Sequence, residues 1–421
     1  MKSDFINELG TLFNQNNSIS DDIYNKLDVK RGLRNKNGTG VLVGLTKIGS
    51  VLGYSVNKKG KKIPEKGKLY YRGISIDKLV EQFEKEKIFC FEKTMFLLLF
   101  GKVPSNFELK MFVSTLKEYR HLPDEFIEDF ILRKPSTDIM NHLQRAVLCL
   151  YTLDENPDDV SLSNLIDQSL NLIAKFPSLL VYCYQACNYK HFKKSLIIHN
   201  PMEEYSIAEN ILHMLRSDSK FTKLESEILD LILVIHAEHG GGNNSTFTSH
   251  VISSTRTDTY SSISASIGSL KGPMHGGANS MVTKMIEDMK KNSNPYDEIK
   301  LKEYLKKIFE KKAFDKTGRI YGMGHAVYTV SDPRAEILKK KAYELAKEKD
   351  ALEEFELFSN VEKFTKEIGK ELKGKDFEIC ANVDLYSGFV YKLLDIPQNI
   401  FTPLFALSRI ASWNAHRRSR F

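Results

Sequence analysis

Four stretches of this sequence set a titratable side chain beside glycines where a loop meets a helix. A small ligand there can reach both a side chain and the backbone. In Ile235-His236-Ala237-Glu238-His239-Gly240-Gly241-Gly242-Asn243-Asn244, the spacing puts His236 and His239 on the last turn of a helix that the glycines end. Carbonyls at a helix C-terminus favour a protonated imidazole, which would make His239 a donor to an anion. The plain alternative is a C-capping histidine. A shared metal is a third reading, although the pattern is not H-E-x-x-H and a third ligand is unidentified. In Lys271-Gly272-Pro273-Met274-His275-Gly276-Gly277-Ala278-Asn279, a Gly-Pro break ends one helix and Ser280 to Lys290 begins another. His275 then sits at a helix N-terminus, whose field keeps the imidazole neutral and able to donate an N–H to a developing enolate oxygen. The bland counterpart is a turn histidine satisfying backbone groups.

The third stretch runs from Gly318 through Tyr321-Gly322-Met323-Gly324-His325-Ala326-Val327-Tyr328 to Ser331-Asp332-Pro333-Arg334. Asp332 reads as an N-cap and Pro333 as the first helical residue, so Arg334 lies in the first turn, where a cation opposes the helix dipole. Asp332 or a bound carboxylate must compensate it. The fourth is Asn382-Val383-Asp384-Leu385-Tyr386-Ser387-Gly388, where Asp384 is either an N-cap or a carboxylate base. Arg409, finally, has Phe405 four residues before it and Trp413 four after. A guanidinium buried on so apolar a face needs an anion, from a structural acid or from a substrate.

The elements that must hold these residues read as mostly helical. Residues 38–73 are the exception, with glycines between β-branched pieces that predict short strands and turns. Helical faces follow at Leu224, Ile228, Leu231, Ile232 and Ile235, and at Tyr260, Ile263, Ile267 and Leu270, the latter capped by Asp258 and ended by Gly272-Pro273. Further helices are expected over Ile337–Lys349 and Val361–Leu372, and from a Thr402 cap with Pro403. Lysine- and glutamate-rich composition marks a smaller domain over 280–380, between a large domain at 1–279 and a return to it at 381–421.

Composition sets the frame. The chain has 421 residues, 42% hydrophobic and 27% charged, and a net charge of +7. This excludes low-complexity and collagen-like classes. The interleaved charges suit small anionic ligands and give no case for nucleic acid. The densest basic run, Lys58-Lys59-Gly60-Lys61-Lys62, reads as a solvated turn. No apolar run approaches the roughly 18 residues a membrane span needs. The 5 cysteines lack C-x-x-C spacing, so free thiols in a reducing compartment are expected. The N-terminus lacks a signal-peptide h-region, making the cytoplasm the default location.

Taken in order, these motifs, with Tyr71-Arg72-Gly73 and Phe401-Thr402-Pro403-Leu404-Phe405-Ala406, resemble the citrate synthase family over about residues 40–416. The resemblance implies a mainly α, two-domain helical homodimer with a small β element near 38–73, whose small domain closes over substrate. It implies condensation of acetyl-CoA with oxaloacetate and hydrolysis of the thioester, with no metal and no cofactor beyond the substrates. Carried over, Asp384 removes a methyl proton, His275 holds the enol oxygen, and His325 polarises the oxaloacetate carbonyl. His239, Arg334, Arg409 and Asn243 hold oxaloacetate. Tyr321, Gly322, Met323, Gly324 and Lys375 contact CoA. Family members usually continue past the helix carrying Trp413 into an Arg-Pro motif that reaches the partner's site. Here Arg417, Arg418 and Arg420 stand in that region. The competing readings are 2-methylcitrate synthase using propionyl-CoA, a non-catalytic dimeric scaffold, and a metal hydrolase built on His236 and His239.

Overall fold

A computed structural model describes residues 21–26, 46–57, 62–86 and 89–418. The chain forms two compact units, 1–43 and 44–421. In the first, a short helix is described at Asp21–Lys26. The expected strands over 38–45, the basic run at 58–61 and Arg420 lie outside the described residues.

The second unit opens with a three-stranded antiparallel sheet, β1 (Gly49–Val56), β2 (Lys62–Tyr71) and β3 (Ile74–Ser75). The β1–β2 register slips between Leu52 and Tyr54. Gly53 and Gly67 are needed there: a Cβ would overlap the carbonyl oxygen of Val327 or Ser331. Two glycines thus let the sheet lie directly on the loop that follows His325.

Helices supply nearly everything else. The core combines α1 (Cys90–Phe100), α2 (Leu162–Phe192, with Pro177 inside it) and α3 (Lys223–His236) with the C-terminal helix, whose Leu404, Leu407, Ile410 and Trp413 are buried. The apolar face expected from Leu224 to Ile235 lies in α3. α4 (Asn244–Ser253) packs on α5 (Thr259–Lys271), which Asp258 caps and Gly272 ends as expected. α6 (Ala278–Asn292), α7 (Glu298–Phe309), α8 (Pro333–Glu348) and α9 (Leu352–Lys373) carry the lysine- and glutamate-rich surface. α10 (Val383–Leu393) packs on α6 and α8. α11 (Phe401–Arg418) begins one residue before Thr402. Thr402 is therefore no cap; its hydroxyl donates to the Gly276 carbonyl at 3.0 Å and ties α11 to the His275 loop.

One ionic cluster anchors α8 from its far end. Glu225 completes a capping box with Thr222 at the start of α3. Its buried carboxylate also takes a bidentate fork from Arg216 at 2.7 and 3.0 Å and an ammonium from Lys349 at 2.6 Å. Burial pushes the Glu225 pKa up, but these donors outweigh it and hold the acid at about 2. Its stabilising contribution is therefore complete above the unfolded carboxyl pKa of about 4.3 and disappears as pH falls towards 2. Glu225→Gln strands two cations and is expected to cost about 3 kcal/mol, low in the range for a broken buried pair because Lys349 keeps some water. Urea unfolding at pH 7 measures it, and the gap to wild type should shrink below pH 4. A loss within about 0.5 kcal/mol would reduce the cluster to ordinary surface pairs.

Candidate active site

The site is assembled around the end of α3. The helix stops at His236, one turn earlier than the sequence suggests, because Ala237 caps it and its N–H bonds the Val234 carbonyl. His239 thus lies in the following loop and not on the helix. Glu238 holds that loop. It is fully buried, accepts the Gly240 N–H on Oε1, and meets His416 Nε2 of α11 at 3.2 Å on Oε2. Burial raises its pKa, but His416 and Arg409 prevail and keep it at about 2. The Tyr71 hydroxyl donates to the Val234 carbonyl at 2.9 Å and accepts the Glu238 N–H at 3.3 Å, joining sheet and loop.

His239 packs edge-on to His325, with ring centres 5.0 Å apart, and to Tyr328 at 5.7 Å. Its Nε2 is buried and has no hydrogen-bond partner among the described residues. Burial, followed by the charge of Arg334, holds its pKa well below the usual histidine value. The protonated imidazole expected from the helix terminus is therefore replaced by a neutral one, since desolvation outweighs a dipole it no longer touches. His236 is buried against the Phe405 ring at 4.7 Å, and no hydrogen bond to its ring nitrogens is seen among the described residues. Among the described residues no group of three or more His, Cys, Asp or Glu is placed to hold a metal.

Hydrogen bonds fix the other two imidazoles in opposite tautomers. His325 stacks on Tyr328 at 4.6 Å, and its Nδ1 accepts the N–H groups of Val327 at 3.0 Å and Tyr328 at 3.1 Å. With Nδ1 an acceptor, the proton of the neutral ring sits on Nε2. His275 accepts the Ser245 N–H at 3.3 Å on Nε2, which also lies 3.1 Å from the Ser245 hydroxyl. Its proton sits on Nδ1. Trp413 Nε1 donates to the same hydroxyl at 3.2 Å, so α11 braces the pair. Burial, then the Arg409 charge, lowers the His275 pKa to about 4. The expected neutrality holds, with those causes in place of the helix field. Asn243 precedes α4 and accepts the Ser245 hydroxyl on Oδ1 at 2.9 Å.

Asp384 is not the cap of α10. Asn382 is, its side chain accepting the Asp384 N–H at 3.0 Å. The Asp384 carboxylate, half-buried, has no hydrogen-bond donor among the described residues. Burial pushes its pKa up to about 6; Arg334 and Arg409 pull it down and Asp332 pushes it up. The Asp384 helix and the His325 loop are coupled by backbone. Gly324 N–H bonds Cys380 O at 2.7 Å, Asn382 N–H bonds Gly322 O at 2.9 Å, and the Asn382 amide bonds Gly324 O at 2.8 Å. Gly322 and Gly324, at φ 82° and 85°, permit that path. Tyr321 ends the same loop, its hydroxyl 2.6 Å from Asp315, and Met323 bridges Ala381.

The two arginines differ. Arg334 is buried and forks onto Asp332 through Nε at 3.0 Å and Nη2 at 2.7 Å, so the local pair anticipated at the helix start is present. Asp332 caps α8 as expected. Arg409 is 1% exposed, bonds the His236 carbonyl through Nε at 2.5 Å, and lies over the Phe405 ring at 4.8 Å. Its Nη1 is buried with no hydrogen-bond partner among the described residues. Burial lowers its pKa to about 10 against the opposing pull of Glu238. A desolvated guanidinium with an idle N–H is a receptor for an oxyanion. Lys375, by contrast, is exposed in the turn after α9, and among the described residues no hydrogen bond or ion pair ties it to the cluster. Arg417 is buried and donates to the Thr257 carbonyl.

A carboxylate, two imidazoles of defined tautomer and a buried cation thus meet within an almost wholly helical fold. The profile described as citrate synthase, C-terminal domain, matches residues 37–420. The citrate synthase of Haloferax volcanii is 32% identical over 396 residues, 92% of this chain and 91% of that protein. The 2-methylcitrate synthase 1 of Corynebacterium glutamicum is 32% identical over 366 residues, 86% and 87% of the two chains. The ternary complex of citrate synthase from Thermoplasma acidophilum with carboxymethyl coenzyme A and oxaloacetate superposes at a TM-score of 0.70, with 26% identity and 91% of each chain covered. The chain belongs to the citrate synthase family and is an enzyme of its transferase class.

Proposed function

We propose that this enzyme condenses acetyl-CoA with oxaloacetate and water to give citrate and CoA. Asp384 takes a proton from the acetyl methyl group. That proton is weakly acidic, and His275 Nδ1–H makes its removal feasible by hydrogen-bonding the enol oxygen. His325 Nε2–H polarises the keto oxygen of oxaloacetate and protonates the alkoxide as the new carbon–carbon bond forms. His239, Arg334, Arg409 and Asn243 hold oxaloacetate, and Arg334 has Nη1 left over from its Asp332 fork. The loop Tyr321–Gly324 lines the CoA side. Closure of the 280–380 segment over the substrates keeps water away until the citryl thioester is ready for hydrolysis. The single observation carrying this reading is the pair of opposite tautomers, one neutral N–H donor for each reacting oxygen.

The experiment is thiol release with oxaloacetate and either acetyl-CoA or propionyl-CoA. Higher kcat/KM for acetyl-CoA is expected. A strong propionyl-CoA preference would transfer the protein to the 2-methylcitrate synthases, whose Corynebacterium member is as identical to this chain as the Haloferax citrate synthase. No thiol release from either would favour the scaffold. The same reading places the enzyme in the cytoplasm as a homodimer, which light scattering of the purified protein tests.

A further inference from the structure

Tyr391 is 1% exposed, and its hydroxyl is buried with no hydrogen-bond partner among the described residues. A buried O–H left unpaired is costly, so an unpaired phenol calls for an acceptor that arrives or reorients. Phe would fill the same space without that cost. The ring is set by packing, 4.8 Å from Phe401 at the head of α11. Tyr391 lies on α10 seven residues after Asp384, two turns along the same face. Helical side chains lean towards the N-terminus, which carries a tyrosine hydroxyl from that position back towards the turn bearing Asp384. Burial, together with the Asp384 charge, keeps the phenol protonated and thus a donor. At the other end is the Asp384 carboxylate, which has no hydrogen-bond donor among the described residues.

We propose that Tyr391 is a positioning residue for Asp384, its O–H fixing the carboxylate, directly or through one bridging water, in the orientation that faces the acyl methyl group. This rests on the reading of Asp384 as the base. The groups facing that carboxylate are Arg334 and Asp332 at the start of α8, Arg409 on α11 and Tyr391 on its own helix.

Tyr391→Phe tests it, since it removes the O–H and keeps the ring. With the full-length enzyme, kcat for CoA release should fall about 10- to 100-fold while KM for oxaloacetate stays within about twofold. The acid limb of kcat/KM should move to higher pH by about half a unit or more, because a donor that favours the ionised carboxylate is gone. The thermal midpoint should be equal to wild type or higher. Wild-type kcat with an unmoved limb overturns the proposal. So does a loss of activity that tracks a lowered midpoint and a raised KM, the pattern of a packing defect. Carbon-13 carboxyl titration of Asp384 in both proteins gives a readout independent of turnover. If wild type releases no CoA yet the titration differs, the assigned reaction falls and the positioning stands.

Discussion

Replacing Asp384 by alanine is expected to lower kcat for CoA release about 1,000-fold, with KM for oxaloacetate little changed. A positioned general base contributes about 10²–10⁴-fold, and no other carboxylate in the cluster can take its place. Asp332 is committed to Arg334 by three hydrogen bonds, and Glu238 to Gly240 and His416. A fold defect would not account for the loss. The cap of α10 is Asn382, which the variant keeps. Burial lifts the Asp384 pKa to about 6, above the unfolded value of about 3.9. A carboxyl whose folded pKa is raised favours the folded state at low pH and opposes it once both states have ionised, so at pH 7 its removal should stabilise the protein. The same pKa sets the activity profile. In wild type kcat/KM should climb about tenfold per unit towards pH 6 and then level, and the variant should lose that limb. Steady-state thiol release from pH 4.5 to 8 measures both. Wild-type-like turnover in Asp384→Ala would remove this residue from the chemistry.

Much of this site was readable before any coordinates because its residues sit at junctions with strong local rules. Gly-Pro, Asp-Pro and Gly-x-Gly mark where helices stop and start, and each such break carries one candidate side chain. The cap at Asp332 and the termini of α5 followed from side-chain chemistry alone. What local rules could not supply was desolvation. His239 was expected to be charged because a helix end was placed under it, yet the helix stops at His236 and buried arginines surround the ring. Asp384 could be read as a cap or as a base, yet it is Asn382 that caps the helix. Ser245, which sets the His275 tautomer, lies 30 residues from it, with no signal in its own neighbourhood. The start of α11 was misplaced because the chain enters it from a 3-10 turn at Gln398–Ile400, which makes a capping side chain unnecessary. The Pro177-containing α2 went unread, since a proline inside an apolar pattern is taken as a stop.

His275→Ala is expected to cost about 10²–10³-fold in kcat, the measure of one preorganised donor to a developing oxyanion. The argument turns on what the neutral ring can do that a charged one cannot. With a pKa near 4 it carries a single proton, and the Ser245 N–H occupies Nε2, so Nδ1–H is the donor available to a thioester oxygen. Because the ring is braced by Ser245 and Trp413 before substrate binds, no reorganisation is spent during proton transfer. The effect should therefore fall on kcat, and KM for oxaloacetate, held by other residues, should change less than about threefold. Protonation would cancel the design by placing an N–H opposite Ser245, and burial with Arg409 excludes this at neutral pH. His275→Asn is the more telling variant, since an amide restores a donor without the imidazole; recovery of part of the loss is expected. If alanine instead raised KM with kcat intact, His275 would be a ground-state contact, and the two-donor scheme would reduce to His325 alone.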